Sequence, residues 1–322
     1  MTRRLIIDTD GGIDDAVAIW WAASDPRIDL VGVTTVGGVV SAEDAARNVL
    51  LVLEAAGRPD VPVAIGANDR LGPSPELRPA DFIHGSDGLG NTVRGRVPAG
   101  TPLHGAIPLL DRLIDGMTSI VSLGPLTNLA RLALELPRQA AAVDQLVIMG
   151  GAAAGGGNAL PDGEANIAHD PSAAAVVVGA GWANPPLMIG LDVTHAATLD
   201  DSDFALLAEK RTPAAAFLDA PLRFYRPFGA TFTAPACPCH DFATVLAFIE
   251  SSFVTDAPIL PLAIATAPGP AWGSTIVDFR APAFARSGGS EQASPDGFAD
   301  WRIGLGVDRA LFRRRARQLF GD

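Results

Sequence analysis

From Arg4 to about residue 195 the chain alternates short runs rich in β-branched residues with longer Ala- and Leu-rich segments of helical period. A strand, a helix and another strand, repeated, bury both faces of a sheet only when the strands run parallel with helices above and below, so the pattern restricts the fold to α/β. The expected strands are Arg4–Asp8, Asp29–Thr35, Val61–Ile65, Thr118–Ser122, Gln145–Met149 and Pro186–Leu191. The expected helices are Asp14–Ala23, Ala42–Ala56, Gly124–Leu136 and Pro171–Gly179. Beyond residue 195 the periodicity is mostly helical, over Asp203–Glu209, Ala214–Tyr225 and Phe242–Glu250. A tail of β and turn character follows over Trp272–Val307, then a basic helix near Arg309–Phe320. No repeat stands out and no linker divides the chain, so one domain over residues 1–322 is expected. Its architecture would be a single open, mostly parallel sheet flanked by helices, with a mainly helical C-terminal portion.

Hydrophobic residues make up 48% of the chain and charged ones 19%, which supplies a large core and excludes a disordered polymer. A formal charge of -12 opposes sequence-independent binding to nucleic acid, because that affinity comes from cations replacing counterions along phosphates. A neutral ligand or a cation suits this balance better. No stretch of about 18 apolar residues occurs, so no membrane partner is expected. Only Leu5, Ile6 and Ile7 follow the basic start before Asp8, too short an apolar run for a secretory signal, so a cytoplasmic location is expected. Cys237 and Cys239 are separated by one residue and would close a strained ring if bonded, so free thiols are expected. Cys237-Pro238-Cys239-His240 does not read as zinc, because no second pair of ligands stands at a usual spacing.

In an open parallel sheet, ligands bind beyond the C-terminal ends of the strands, where loops converge and helix N-termini point inward. Asp8-Thr9-Asp10-Gly11-Gly12-Ile13-Asp14-Asp15 puts four carboxylates at the first such junction. Asp8 and Asp10 share a strand face, and Asp14 and Asp15 open a helix about 100° apart around its axis. Two carboxylates about 4 Å apart repel by roughly 4 kcal/mol at an effective dielectric near 20, so ionised groups this crowded need a positive partner. The helix terminus supplies about half a charge and no Lys or Arg is near in sequence, which leaves a divalent cation; all-oxygen ligands favour Ca2+ or Mg2+ over Zn2+. Helix capping by one aspartate, with the rest solvated, would account for one carboxylate of the four.

The same segment also resembles the haloacid-dehalogenase phosphatase signature, in which the first Asp attacks phosphorus beside Mg2+. Gly12 stands where that family has Thr or Ser, and neither its distal Lys nor its late Gly-Asp-x-x-x-Asp segment is present; Lys210, the only lysine, lies at an ordinary charged helix end.

A longer series of segments, in order, resembles the inosine-uridine-preferring nucleoside hydrolase family over about residues 4–318. The segments are the aspartate cluster, Val33 to Gly38, Arg47-Asn48, His84-Gly85-Ser86-Asp87-Gly88-Leu89-Gly90 and Leu123 to Asn128. After them come Met149 to Ala152, Gly157-Asn158, Glu164 to Ile167, Asp170-Pro171, Leu191 to His195 and His240-Asp241. The resemblance implies hydrolysis of the N-glycosidic bond of nucleosides to free base and ribose, with Ca2+ as cofactor. It implies that Asp10, Asp15 and Asp241 ligate the ion by their side chains and Thr127 by its backbone carbonyl, with Asp14 as general base. Asn158, Glu164 and Asn166 would hold ribose hydroxyls around an oxocarbenium-like transition state, with Met149 and His84 also lining the substrate. His240, one residue before a ligand, would protonate the leaving base from a pKa near neutrality, and His84 would assist from a glycine-bearing loop. His104, His169 and His195 read as structural. By resemblance the chain would form a homodimer or homotetramer. It departs from the family at Val39, where Asn is usual, at Ala165, where an aromatic is usual, and at Gly11, where Pro is usual. These departures keep alive a non-catalytic nucleoside or sugar binder on the same fold.

Overall fold

The computed structural model describes residues 2–232, 237–280 and 296–321. The first strand, β1 (Arg3–Thr9), leads through α1 (Ile13–Ser24) to β2 (Ile28–Thr35), and α2 (Ala42–Ala55) leads to β3 (Val63–Ile65). The short α3 (Asp81–His84) and β4 (Leu103–His104) follow, and then α4 (Ala106–Leu113), β5 (Thr118–Ser122), α5 (Thr127–Glu135) and α6 (Pro137–Ala140). β6 (Leu146–Met149), α7 (Ala165–His169), α8 (Pro171–Gly179), β7 (Leu187–Ile189) and α9 (Leu191–Thr194) complete the alternating part. Each of the six expected strands and four expected helices is present, with ends that differ by up to three residues.

After α9 come β8 (Thr198–Leu199), α10 (Asp201–Glu209), α11 (Pro213–Phe232), β9 (Cys237–Pro238) and α12 (His240–Ile249). β10 (Val254–Asp256), β11 (Ile259–Ile264), β12 (Thr275–Val277), β13 (Ala299–Ile303), β14 (Gly306–Val307) and α13 (Arg309–Phe320) end the chain. The expected β and turn tail is thus populated by β12, β13 and β14, while its stretch 281–295 lies outside the described residues. β11 was not among the expected strands. Pro261 within it pairs with Asp300 of β13 but stands outside the β12 register, a position where a residue without an N–H is tolerated.

Ten strands form one sheet in the order β12-β11-β13-β7-β6-β5-β1-β2-β3-β4. All pairs are parallel except β11 with β12 and β11 with β13. Two short antiparallel ladders, β8 with β9 and β10 with β14, lie apart from it. From β1 the chain winds outward through β2, β3 and β4, then returns to the other side of β1 and winds through β5, β6 and β7. The winding reverses between β1 and β5, and an open α/β sheet leaves its ligand crevice beyond the strand ends at such a reversal.

Period-two alternation in β1 feeds both faces. Leu5 and Ile7 join a buried cluster with residues of α1, α2, α11 and α12, whereas Ile6 joins Ile120, Leu146 and Ile148 under α4, α5 and α8. Asp8 continues the Ile6 side and meets α5, where Asn128 donates to it at 2.7 Å. Cys237 and Cys239 are buried free thiols. Among the described residues no helix is long and apolar enough to cross a membrane.

Candidate active site

The crevice at the reversal is built from three loops and the first turn of α12. β1 runs into the turn that carries Asp10, and Thr9 and Gly12 tie that turn down: the Thr9 hydroxyl and the Gly12 N–H both donate to Asp15, the latter at 2.8 Å. Gly11 adopts φ +76°, and a Cβ there would lie 2.6 Å from the Cα of Ala45. Proline is locked near φ -65°, so the turn takes a path at this residue that glycine allows and the family's usual proline does not. Val39, where Asn is usual, still serves the cluster through its backbone, whose N–H donates to Asp10 Oδ2 at 2.9 Å.

α1 packs against α12, and this contact brings Asp241, in the first turn of α12, to Asp14 and Asp15 at the start of α1. One oxygen from each of Asp14, Asp15 and Asp241 falls within 4.8 Å of the others, and all three residues are buried. Asp10 is buried beside them and interacts directly with Asp15. Burial is the largest cause lifting all four carboxyl groups above their usual range, and mutual repulsion adds to it for Asp10, Asp14 and Asp241. Asp14 is pushed up to about 7. No cationic side chain is among the main causes of these shifts, and none of the ion pairs among the described residues includes any of the four. An all-carboxylate, buried, unpaired donor set fits a hard divalent cation.

Asp8 stands apart from this cluster in role. It is wholly buried, Thr34 and Asn128 donate to one of its oxygens, and burial pushes it up to about 6. A phosphatase nucleophile has to face its substrate, and Asp8 faces the sheet interior.

The loop after β5 closes a second side. Leu123 N–H donates to the Asp8 carbonyl, and a Cβ on Gly124 would lie 3.0 Å from the Asp10 Cβ, so this loop rests on Asp10. Thr127 then opens α5 with its hydroxyl donating to Asp170 at 2.8 Å.

The loop from β6 to α7 forms the third side. Glu164 is the N-cap of α7 and accepts the N–H groups of Asn166 and Ile167, while reaching back to Gly151 N–H at 3.0 Å. The Asn166 amide nitrogen donates to the carbonyls of Leu123, at 2.7 Å, and Met149, at 3.1 Å, so its oxygen is the group left for a hydroxyl. Asn158 accepts the Ala165 N–H at 2.9 Å. Ala165, where an aromatic is usual, therefore contributes backbone and little bulk. Met149 sits at the end of β6 with its sulfur 3.3 Å from the Asn166 amide.

The histidines divide. His240 Nδ1 is 2.7 Å from the Thr194 hydroxyl, and its ring is 5.7 Å from that of His195. Burial, then His195 and His84, pull its pKa down to about 3, so the resting imidazole is neutral rather than poised near neutrality as its ordinary pKa suggests. His84 is buried at the end of α3, where its Nδ1 accepts the Ile13 N–H at 3.1 Å and its ring lies 5.4 Å from Tyr225. Burial lowers it to about 4. In this state His84 satisfies one of the free donors at the start of α1. His104 lies away on β4, His169 ends α7, and His195 stands next to His240.

Thr194 and Tyr225, the neighbours of His240 and His84, are positions that spacing does not reveal. Thr194 looks like any buried helix threonine until α12 brings His240 to it, and Tyr225 lies in a long helix whose aromatic residues give no local sign of which one meets His84.

Comparison with known proteins agrees with this geometry. The profile of the family described as inosine-uridine preferring nucleoside hydrolase matches residues 5–314. The chain is 42% identical over 258 residues to a protein named probable uridine nucleosidase 2 of Arabidopsis thaliana, covering 78% of this chain and 79% of that one. It is 36% identical over 288 residues to the inosine-uridine preferring nucleoside hydrolase of Leishmania major, covering 88% and 90%. A solved plant nucleoside hydrolase superposes with a TM-score of 0.89 at 31% identity over 99% of both chains. The crevice at the β1/β5 reversal, the carboxylates gathered in it and the end-to-end match establish that the chain belongs to the inosine-uridine preferring nucleoside hydrolase family, as a nucleoside N-glycosidase.

Proposed function

We propose that this protein hydrolyses the N-glycosidic bond of ribonucleosides, uridine and inosine among them, at a Ca2+-dependent site formed by the aspartate cluster. The observation that carries this reading is the buried convergence of Asp14, Asp15 and Asp241 within 4.8 Å, with no ion pair to any of them among the described residues. Asp10, Asp15 and Asp241 would hold the ion by their carboxylates and Thr127 by its backbone carbonyl. When bound, such an ion neutralises the carboxylates and lowers the pKa of water in the site. Asp14, buried at the start of α1 beside Asp15 and Asp241, takes the proton from the attacking water.

Glu164, Asn158 and Asn166 orient the sugar. Asn166 offers only its carbonyl oxygen, which selects a ligand hydroxyl that donates. Positive charge develops on the ring as the bond to the base lengthens, and the surrounding carboxylates stabilise that charge more than they stabilise the ground state. His240, neutral at rest, accepts the Thr194 hydroxyl at Nδ1 and so carries its proton on Nε2, which it offers to the departing base as a hydrogen-bond donor. His84 and Met149 complete the wall around the substrate.

The test is incubation of chelator-treated protein with uridine, inosine and cytidine, with and without added Ca2+, while free base and reducing sugar are measured. Release that depends on Ca2+ and is lost in Asp10→Ala supports the reading. Absence of sugar release from every nucleoside overturns it, and thermal stabilisation by ribose without turnover would then identify a binding protein.

A further inference from the structure

The loop between β6 and α7 carries Asn158 and Glu164, yet it contains the run Gly155-Gly156-Gly157, which gives the chain little reason to stay in one place. Behind the run it is held by its own turn, with Gly157 N–H on the Pro161 carbonyl at 2.8 Å and Ala159 N–H on the Gly163 carbonyl at 3.2 Å. In front of it two side chains do the holding: the Thr275 hydroxyl pairs with Ala152, accepting its N–H at 3.0 Å and donating to its carbonyl at 2.6 Å, and Asp192 takes the three residues that follow. Asp192 accepts the N–H of Ala153 on Oδ2 at 2.6 Å, and those of Ala154 and Gly155 on Oδ1 at 2.9 and 3.1 Å.

An aspartate in the first turn of a helix ordinarily serves that helix. In α9 the N–H groups of Val193 and Thr194 turn instead to the Gly190 carbonyl, and the Asp192 carboxylate is spent on a segment 37 to 39 residues earlier in the chain. Three consecutive main-chain donors on one charged acceptor make a stronger and more directional anchor than neutral pairs would. Two residues on, Thr194 holds His240. One turn of helix thus grips the sugar-side loop with one side chain and the base-side imidazole with another.

We propose that Asp192 is a positioning residue for the glycosidase reaction: by fixing Ala153–Gly155 it sets Asn158 against the sugar, while Thr194 on the same turn sets His240 against the base. The inference rests on the function proposed above. It separates the two side chains by what they control, Asp192 sugar affinity and Thr194 the bond-breaking step.

The test compares wild type with Asp192→Asn and Thr194→Val in uridine kinetics, ribose binding by calorimetry and amide hydrogen exchange over residues 153–155. Asn keeps the shape of Asp192 but replaces one acceptor oxygen and removes the charge. KM for uridine and the ribose Kd are expected to rise together by roughly tenfold in Asp192→Asn, with kcat within about threefold and faster exchange at 153–155. Asp192→Glu is expected to recover part of the affinity. Thr194→Val is expected to lower kcat by roughly tenfold or more with KM little changed. Unaltered KM and ribose Kd in Asp192→Asn overturn the proposal even if exchange accelerates, since the anchor would then be structural only, and so does a fall in kcat alone. If wild type released base from no nucleoside, the functional reading would fall, while the ribose Kd of the two proteins would still decide the role of Asp192, equal values overturning it.

Discussion

At the scale of single residues, the site is a concentration of like charge that the fold tolerates rather than one it relaxes. Carboxyl groups raised above their usual range mean that the cation-free native protein keeps protons which the unfolded chain releases at about pH 4. The native state then binds more protons than the unfolded one, so the cluster's contribution to stability is present below about pH 4 and declines as pH rises through the raised folded values, that of Asp14 being about 7. Asp241→Asn removes one charge from this repulsion. With chelator present, the variant is expected to unfold at higher denaturant than wild type, by on the order of 1–2 kcal/mol at neutral pH, with the gap closing towards pH 5. Added Ca2+ is expected to raise the Tm of wild type and to leave that of the variant nearly unchanged, and thermal scans with and without the ion check both parts. Gly11 supplies a prediction of the opposite sign. With φ +76° and Ala45 2.6 Å from any Cβ, Gly11→Ala is expected to destabilise by about 2–4 kcal/mol, read from urea unfolding.

Among elements, α1 matters most because it carries two of the carboxylates. Its start is held by His84 and by Asp15 reaching back to Gly12, and its end by an ion-pair network. Arg27, just before β2, pairs with Asp25 at 2.6 Å and with Glu250 at 2.9 Å, and Arg315 of α13 pairs with Glu250 at 2.6 Å. Although burial opposes it, hydrogen bonds from Arg27 and Arg315 hold Asp25 and Glu250 below their usual range. A depressed carboxyl pKa contributes stability that is present above the unfolded value and lost as pH falls through the folded one, so this network opposes the aspartate cluster and weakens below about pH 4. Arg27→Met is expected to cost about 1 kcal/mol at neutral pH and less in acid, measured by chemical unfolding at both.

The elements also show what periodicity conveys. Pro171–Gly179 and Arg309–Phe320 coincide with α8 and α13, because proline at the first helical position in one and an aspartate N-cap in the other mark their starts. β4 has only two residues and β11 contains a proline, so neither offers the repeated alternation that identifies a strand.

At the scale of the whole molecule, function follows from the order of strands. Had β5 joined the outer edge beyond β4 instead of returning to β1, Leu123 to Thr127 would not lie over Asp10. The alternation of strand and helix, the α/β class and the crowding of Asp8, Asp10, Asp14 and Asp15 are all local properties of the chain, since each depends on residues a few positions apart. Through its ordered motifs the chain also pointed to His240-Asp241 and to Glu164–Asn166 as partners of that cluster. Packing alone decided the rest: that Asp8 turns into the sheet, that Val39 serves Asp10 by its backbone, that His84 caps α1, and that Asp192 holds the β6–α7 loop while Thr194 meets His240. Such contacts join segments as much as 120 residues apart, and local propensity carries no information about which distant donor will arrive at a given acceptor.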